Sequence, residues 1–218
     1  MTLPQVAAAL ASYLARQAEL DHRQLDTLRF GLEIILGAVV KGAALFALAW
    51  LLGLTAPVAV ALASGSAFRL LAGGAHCTGF GRCLLLGLAV YLLAGLAGVR
   101  LGSVLSPDGL FWLLAAGYLV CSLAAWRWAP GAAPDADLGP ARRRLFKFLT
   151  LFYLQVFLAG TVYLVREGHS SLAVAGLAAL VAQGASLTPT GYRLIARYDR
   201  RLSEIRSRRR CAADAGEA

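Results

Sequence analysis

The chain has 218 residues, of which 59% are hydrophobic and only 15% are charged, and its formal net charge is +9. Soluble globular domains carry about 25% charged residues, so this composition excludes an ordinary soluble enzyme and predicts an integral membrane protein. Positive charge on a membrane protein marks the face that stays in the cytoplasm, and we therefore expect no nucleic acid among its partners.

The first part of the chain predicts a helix that lies at the membrane interface. Val6, Leu10 and Tyr13 recur at helical spacing and give this stretch one apolar face. We expect the helix over residues 4–30, within an N-terminal unit of residues 1–33. A cleaved signal peptide is not expected, because no positive residue precedes the apolar stretch and no convincing cleavage site follows it.

Six apolar stretches follow, each close to the roughly 20 residues that cross a hydrocarbon core of about 30 Å. The expected spans are residues 34–54, 57–72, 84–101, 109–126, 148–165 and 172–187. The second and sixth stretches lie near the lower length limit, so a five-span or re-entrant alternative stays open. The expected fold is an all-α polytopic membrane protein with about six transmembrane helices.

The end of the chain predicts a basic amphipathic tail. Leu194, Ile195 and Tyr198 share one face of this segment and arginines occupy the other, a pattern typical of a helix that lies on anionic lipid. The chain is therefore divided into three parts: residues 1–33, a membrane domain over residues 34–188, and the tail over residues 189–218.

Two further features of the membrane domain concern its partners and its connections. Small residues at Gly87, Gly95 and Gly98 give the third span a face along which a second copy of the chain can pack, which favours a homodimer. The connection over residues 129–140 contains three prolines and two aspartates, a composition typical of a linker.

The distribution of positive residues predicts the orientation of the spans. Eighteen of the 21 lysines and arginines fall on one side of the membrane, whereas Arg100 and Arg166 fall on the other. Because positive residues near span ends are retained on the cytoplasmic side, we expect both termini to be cytoplasmic in the cell membrane. The loop between the second and third spans then also faces the cytoplasm.

That loop is where the chain carries residues suited to chemistry. A neutral imidazole at His76 can take the proton of the thiol at Cys83, and a thiolate is a strong nucleophile. In a continuous helix, seven positions would separate the two by about 10 Å of rise, beyond hydrogen-bond reach. Glycines, including the pair Gly73 and Gly74, favour a bent or re-entrant loop instead, with Cys83 at the start of the third span.

Other interpretations of these residues exist. A cysteine at a helix start is often a small apolar residue, and a lone histidine at an interface is often a polar anchor. A metal site formed by His76, Cys77 and Cys83 would lack a second closely spaced cysteine pair or a fourth ligand, and no glycine-rich nucleotide loop occurs, so no metal or cofactor is expected. We expect Cys121 and Cys211 to be inert and no disulfide to form.

The order of these features resembles the accessory gene regulator B (AgrB) family of membrane cysteine endopeptidases. The likeness is carried by Arg69, Gly73-Gly74-x-His76 and Cys83, by Phe30-Gly31-Leu32-Glu33 and Lys41 upstream, and by Trp128-Ala129-Pro130, Pro140 and a basic run downstream. One departure is Cys77, which stands where the family usually has a small residue. The spacing between His76 and Cys83 is weak support by itself; the whole combination is specific.

The resemblance implies that Cys83 is the nucleophile and His76 the base of a cysteine endopeptidase that processes quorum-sensing peptides. The substrate would be a precursor of the AgrD type that docks from the cytoplasm and loses its acidic C-terminal tail. The acyl-enzyme would then be resolved by a cysteine or serine of the precursor itself, which gives a thiolactone or lactone ring.

Ionisable residues within spans are costly and usually functional, which makes Glu33, Lys41 and Arg69 candidates for orienting the histidine or binding a peptide carboxylate. With Gly73 and Gly74 they form the expected supporting set. The structural alternatives are a helix-start carboxylate for Glu33 and a snorkelling interface arginine for Arg69.

A rival function is a small membrane transporter or channel. In that case Lys41, Arg69 and His76 would line a polar pathway and the cysteines would be incidental. No pair of broken helices in matching halves of the sequence supports this alternative. A purely structural scaffold is the third possibility, and it predicts that the loop tolerates substitution.

Overall fold

A computed structural model describes residues 3–18, 21–131 and 139–216, with side chains described as far as residue 204. Helices and no strand are found in this described part of the chain, which confirms the all-α prediction. The helices are α1 Leu3–Gln17, α2 His22–Leu51, α3 Thr55–Ala72, α4 Phe80–Val104, α5 Pro107–Trp128, α6 Pro140–Arg166, α7 Ser170–Ser186 and α8 Pro189–Gly216. Most of the expected linker, residues 132–138, lies outside the described residues.

The chain forms two compact units, Met1–Leu48 and Ala49–Ala218. In the first unit, the single helix expected over residues 4–30 is wrong, since α1 ends at Gln17 and α2 begins at His22. The reason is a capping box: the Gln24 N–H donates to Asp21 Oδ1 at 2.7 Å, and the Asp21 N–H donates to Gln24 Oε1 at 3.0 Å. These reciprocal bonds start a new helix.

Five helices, α2 to α6, are long and apolar enough to cross a membrane, and they coincide with the first five predicted spans. The sixth predicted span corresponds to α7, which is shorter and is followed by α8 after a bend of 88°. Counting this bent pair as one span gives six. The chain is therefore a multi-pass membrane protein with five or six spans.

Helix α7 is the centre of the second unit and packs against α3, α4, α5 and α6. Its sequence is rich in alanine and glycine on every side, as expected for a helix surrounded by others. The close approach of α7 to α4 depends on glycine in α4, because a Cβ at Gly98 would collide with the Ser171 carbonyl oxygen and with Ala175. This packing fixes the position of the end of α7, which lies beside the candidate site.

Two sequence expectations about small residues are resolved by this packing. Cys121 is fully buried in a core cluster with Phe68 and Leu180, which agrees with an inert role. A Cβ at Gly95 would lie 2.6 Å from Cγ2 of Val58, so Gly95, like Gly98, serves contacts within the chain. The homodimer stays a prediction, and these two glycines do not supply its surface.

Candidate active site

The connection between α3 and α4, residues 73–79, is not helical, so the predicted bent loop is confirmed. We call it the α3–α4 loop. Gly73 has φ 75° and Gly74 has φ 133°, a backbone conformation that residues with a Cβ rarely adopt. A Cβ at Gly74 would also lie 2.6 Å from Oγ of Ser186 at the end of α7. The glycine pair is thus required by both the turn and the approach of α7.

Arg69 holds the first part of this loop from the last turn of α3. Its Nη1 donates to Oε1 of Gln183 on α7 at 2.8 Å, and its Nη2 donates to the carbonyl oxygen of Ala75. The N–H of Ala75 donates in turn to the carbonyl oxygen of Ser186 at 3.3 Å. Both backbone polar groups of the residue that precedes His76 are therefore held. Arg69 is not merely a snorkelling interface residue.

The segment after α5 lies against the same part of the loop. The N–H of Gly131 donates to the carbonyl oxygen of Ala72 at 2.7 Å, immediately after the cis peptide bond between Ala129 and Pro130. A Cβ at Gly131 would lie 3.0 Å from the backbone nitrogen of Gly74. The downstream Ala-Pro motif of the sequence is thus adjacent to the glycine pair. Gly131 itself was missed, although it directly follows that motif.

The second part of the loop is held by Asp199, which the sequence analysis also missed. Asp199 Oδ2 accepts hydrogen bonds from Thr78 Oγ1 at 2.6 Å and from the Thr78 N–H at 3.3 Å. Asp199 Oδ1 accepts from Nε of Arg82 at 2.6 Å, and Arg82 Nη2 donates to Thr78 Oγ1 at 2.7 Å. Asp199 is only 8% exposed. The one signal in the sequence is a carboxylate among the apolar positions of a basic helix.

These contacts have electrostatic consequences outside the spans. The hydrogen bond from the Thr78 hydroxyl and the neighbouring Arg82 guanidinium hold the pKa of Asp199 below its ordinary value, so the carboxylate is ionised. Burial raises the pKa of the Cys77 thiol, and electrostatic interaction with the neighbouring Cys83 and Asp199 raises it further. Cys77 is therefore disfavoured as a thiolate.

Cys83 is the fourth residue of α4, and its N–H donates to the Gly79 carbonyl oxygen at 3.0 Å. It is half-buried, and His76 on the loop is exposed. The structure therefore places Arg69 in α3, the glycine pair and His76 on the loop, and Cys83 in the first turn of α4.

The other two predicted supporting residues lie on α2 in the first unit. Glu33 pairs with Nε of Arg29 at 3.3 Å, one helical turn away. Because α2 begins at His22, Glu33 is well inside the helix, and the interpretation as a helix-start carboxylate is wrong. Lys41 is half-buried farther along the same helix. In the described part of the chain, no three His, Cys, Asp or Glu side chains gather as metal ligands.

Comparison with known proteins identifies the family. A family model for Accessory gene regulator B (AgrB) matches residues 7–187 of the chain. The chain belongs to the AgrB family. AgrB proteins process the precursors of quorum-sensing peptides, and the match includes α3, the α3–α4 loop and α4. No curated protein and no solved structure matches the chain.

The AgrB match does not extend to the last helix of the chain. The matched region ends at Leu187, at the end of α7, so α8 and Asp199 follow the matched residues. The first part of the loop is fixed by contacts within the matched region, whereas the second part is fixed from outside it.

Proposed function

We propose that this AgrB-family protein is a membrane-embedded cysteine endopeptidase that removes the C-terminal tail of an AgrD-type precursor. The observation that carries this proposal is the loop held at both ends, by Arg69 at Ala75 and by Asp199 at Thr78. His76 lies between these anchors and Cys83 follows in the first turn of α4. Fixing a base and a nucleophile on one ordered segment reduces the entropic cost of aligning them.

In the proposed reaction, the His76 imidazole takes the proton of the Cys83 thiol, and the thiolate attacks the carbonyl carbon of the scissile peptide bond. The carbon–nitrogen bond then breaks, and His76 gives its proton to the leaving amine of the tail. The remaining precursor stays on the enzyme as a thioester of Cys83. The position of Cys83 near the N-terminus of α4 places the negative charge of the attacking thiolate where the helix dipole stabilises it.

The second half of the reaction resolves the thioester. A thiol or hydroxyl of the precursor loses its proton to His76 and attacks the thioester carbonyl, and Cys83 leaves and takes the proton back. The product is a thiolactone or lactone ring, the outcome that the family resemblance implies. Attack by water would instead release a linear peptide.

Cys83 is proposed as the nucleophile in preference to Cys77. Burial raises the pKa of the Cys77 thiol, which lowers its thiolate fraction at neutral pH. Cys77 also precedes α4 by three residues and gains nothing from the first turn of that helix. Its place in the site is that of a small half-buried residue.

We propose that the protein lies in the bacterial cell membrane with both termini and the α3–α4 loop in the cytoplasm. Arg69 and Arg82 flank this loop, whereas Arg100 and Arg166 occur towards the other ends of α4 and α6, which supports that orientation. The precursor then enters from the cytoplasm. Accessibility labelling of single cysteines introduced at residues 142–147 tests this arrangement, and labelling from outside the cell would overturn it.

Two further partners belong to the proposal. Exposed Arg197, Arg200 and Arg201 on α8 support contact with anionic lipid. We also propose a homodimer in which two copies pack through the face of α4 around Gly87, where a Cβ would meet open space. The transport alternative loses support at Arg69, because its guanidinium is bonded to Gln183 and to the Ala75 carbonyl oxygen.

Trapping of the acyl-enzyme tests the proposed function. The probe is a synthetic AgrD-type precursor with an amphipathic start, a central cysteine and an acidic tail, incubated with the full-length protein in liposomes. We expect a hydroxylamine-sensitive adduct on Cys83, located by mass spectrometry. Cys83→Ala should abolish both adduct and cleavage, and Cys83→Ser should lose nearly all activity because a hydroxyl is harder to deprotonate than a thiol.

Variants of His76 and Cys77 complete the test. His76→Ala should be severely impaired, with partial recovery as the pH is raised, because thiols then lose their protons without a base. Cys77→Ala is the matched control and should form the adduct normally. An adduct on Cys77, or full cleavage by Cys83→Ala, would contradict the assignment.

A further inference from the structure

We propose that Asp199 is a positioning residue of the site, which fastens α8 to the α3–α4 loop through Thr78 and Arg82. The inference rests on the proposed function, since the loop it positions is the one that carries His76. Asp199 bonds to Thr78 and Arg82, and its role is exerted through these two residues.

The geometry distinguishes this contact from an ordinary surface ion pair. The side chains of Arg82 and Asp199 are 21% and 12% exposed, and both carboxylate oxygens of Asp199 are used. Hydrogen bonds that involve an ionised group are shorter and stronger than neutral ones, and three such bonds converge on this carboxylate. Exposed pairs, in contrast, contribute little because solvent screens them.

The contact joins residues on both sides of the end of the loop. Thr78 is the last loop residue but one, and Arg82 immediately precedes Cys83 in α4. Arg82 Nη2 also donates to Thr78 Oγ1, which closes a three-residue network across this end. The hydroxyl of Tyr198, next to Asp199, lies 3.5 Å from the Arg82 carbonyl oxygen. Helix α8 therefore holds the loop relative to the start of α4.

The network also directs the charge of Arg82. Its Nε is committed to Asp199 and its Nη2 to Thr78, so the guanidinium is oriented towards α8. The Asp199 carboxylate contributes to the raised pKa of Cys77, and the Arg82 guanidinium opposes that effect. The titration of Cys77 consequently reports whether Asp199 and Arg82 occupy these positions, and the measurement requires no peptide cleavage.

The first experiment measures cleavage of the synthetic precursor by Asp199→Asn in liposomes. We expect kcat to fall about 10- to 100-fold with KM little changed, because a misplaced base or nucleophile reduces the rate by such factors. The matched control is Glu204→Gln, which removes one negative charge from an exposed position of the same helix. Wild-type kcat in Asp199→Asn, or an equal loss in Glu204→Gln, would overturn the proposal.

The second experiment follows alkylation of Cys77 against pH in a Cys83→Ala background, by site-resolved mass spectrometry. Adding Asp199→Asn removes a negative charge that raises the Cys77 pKa, so the midpoint should move to lower pH. A general loosening of the fold would also lower the midpoint, because burial is the main cause of the raised Cys77 pKa. It would in addition label Cys121, which is fully buried, whereas loss of the Asp199 charge alone leaves Cys121 unlabelled. An unmoved midpoint overturns the placement of Asp199.

A double-mutant comparison tests whether Asp199 and Arg82 act as one unit. Once Asp199→Asn is present, Arg82→Gln should add less than its effect alone, because the two side chains act as one unit. Additive losses would contradict the network. If Asp199→Asn does not accumulate in the membrane, the same pH midpoint is measured in Arg82→Gln. Loss of the guanidinium, which lowers the Cys77 pKa, should move that midpoint to higher pH, and an unmoved midpoint would contradict the network. If wild type forms no acyl-enzyme, the proposed function fails while the Cys77 titration still decides the position of Asp199.

Discussion

The two ends of the α3–α4 loop are held in different ways. At the first end, the glycine pair adopts a backbone conformation that residues with a Cβ rarely adopt, and Arg69 and Ser186 bond to the backbone of Ala75. At the second end, one carboxylate from α8 binds Thr78 and Arg82. The first end is built into the helix bundle, whereas the second depends on a side chain that can be changed with the bundle intact. Substitutions at the two ends should therefore have different consequences.

Arg69→Ala should have the largest effect on the first end. The change removes both donors at once and leaves the Gln183 side chain and the Ala75 carbonyl oxygen without their partner. Leaving buried polar groups unpaired costs about 1–3 kcal/mol for each group. We expect cleavage of the synthetic precursor to fall about 100-fold, through displacement of the loop that carries His76.

Arg69→Lys sharpens this prediction. Lysine keeps the positive charge and lacks the planar fork that reaches two acceptors in different directions. If the fork is what matters, Arg69→Lys should be nearly as impaired as Arg69→Ala. Near-normal cleavage by Arg69→Lys would show that charge alone is required at this end.

Gly74→Ala should be the next most damaging change. The new Cβ would lie 2.6 Å from Oγ of Ser186 in a backbone conformation that alanine rarely adopts, so the loop or the end of α7 must shift. We expect cleavage about tenfold lower and a reduced melting temperature in detergent. Gly81→Ala is the control in the first turn of α4, where a Cβ meets nothing within 4 Å. Equal losses in both variants would contradict the conformational argument.

The difference between the two ends also explains what the sequence could predict. The glycine pair and Arg69 lie within six residues of one another, so a local pattern indicates the bend and its neighbour. Asp199 is 117 residues away from Arg82, and only the packing of α8 brings them together. Long-range contacts of a single side chain leave no periodic signal in one sequence.

The same distinction between local patterns and long-range contacts applies to the fold. Apolar runs of sufficient length predicted the first five spans, because the hydrocarbon core sets the length of a crossing helix. The central position of α7 was not predicted, since a run of alanine and glycine is equally consistent with a lipid-facing helix. The start of α2 was missed although its signal is local: Asp21 and Gln24 have the spacing of a capping box.

Thr78→Val should reduce activity at the second end by a smaller factor. Valine removes the hydroxyl that donates to Asp199 at 2.6 Å and accepts from Arg82, whereas the Thr78 N–H and the bond between Arg82 and Asp199 remain. We expect kcat to fall about three- to tenfold, as for the loss of one charge-assisted hydrogen bond. Thr78→Ser keeps the hydroxyl and should retain most of the activity. A Thr78→Ser variant as impaired as Thr78→Val would show that the hydroxyl alone does not restore activity, and would contradict the assignment of the loss to its hydrogen bonds.

Cys77→Ala should have the smallest effect, because Cys77 lies between the two ends and neither anchor bonds to it. Its pKa is raised above the ordinary value of 9.0, mainly by burial, so the thiol is protonated at neutral pH and gains reactivity only as the pH rises past that value. We therefore expect cleavage within about twofold of wild type. In the intact protein, iodoacetamide labelling of Cys77 should be slow at pH 7 and should increase through the alkaline range. Rapid labelling of Cys77 at neutral pH would show that the loop is more open than the two anchors allow, and would weaken the distinction between its ends.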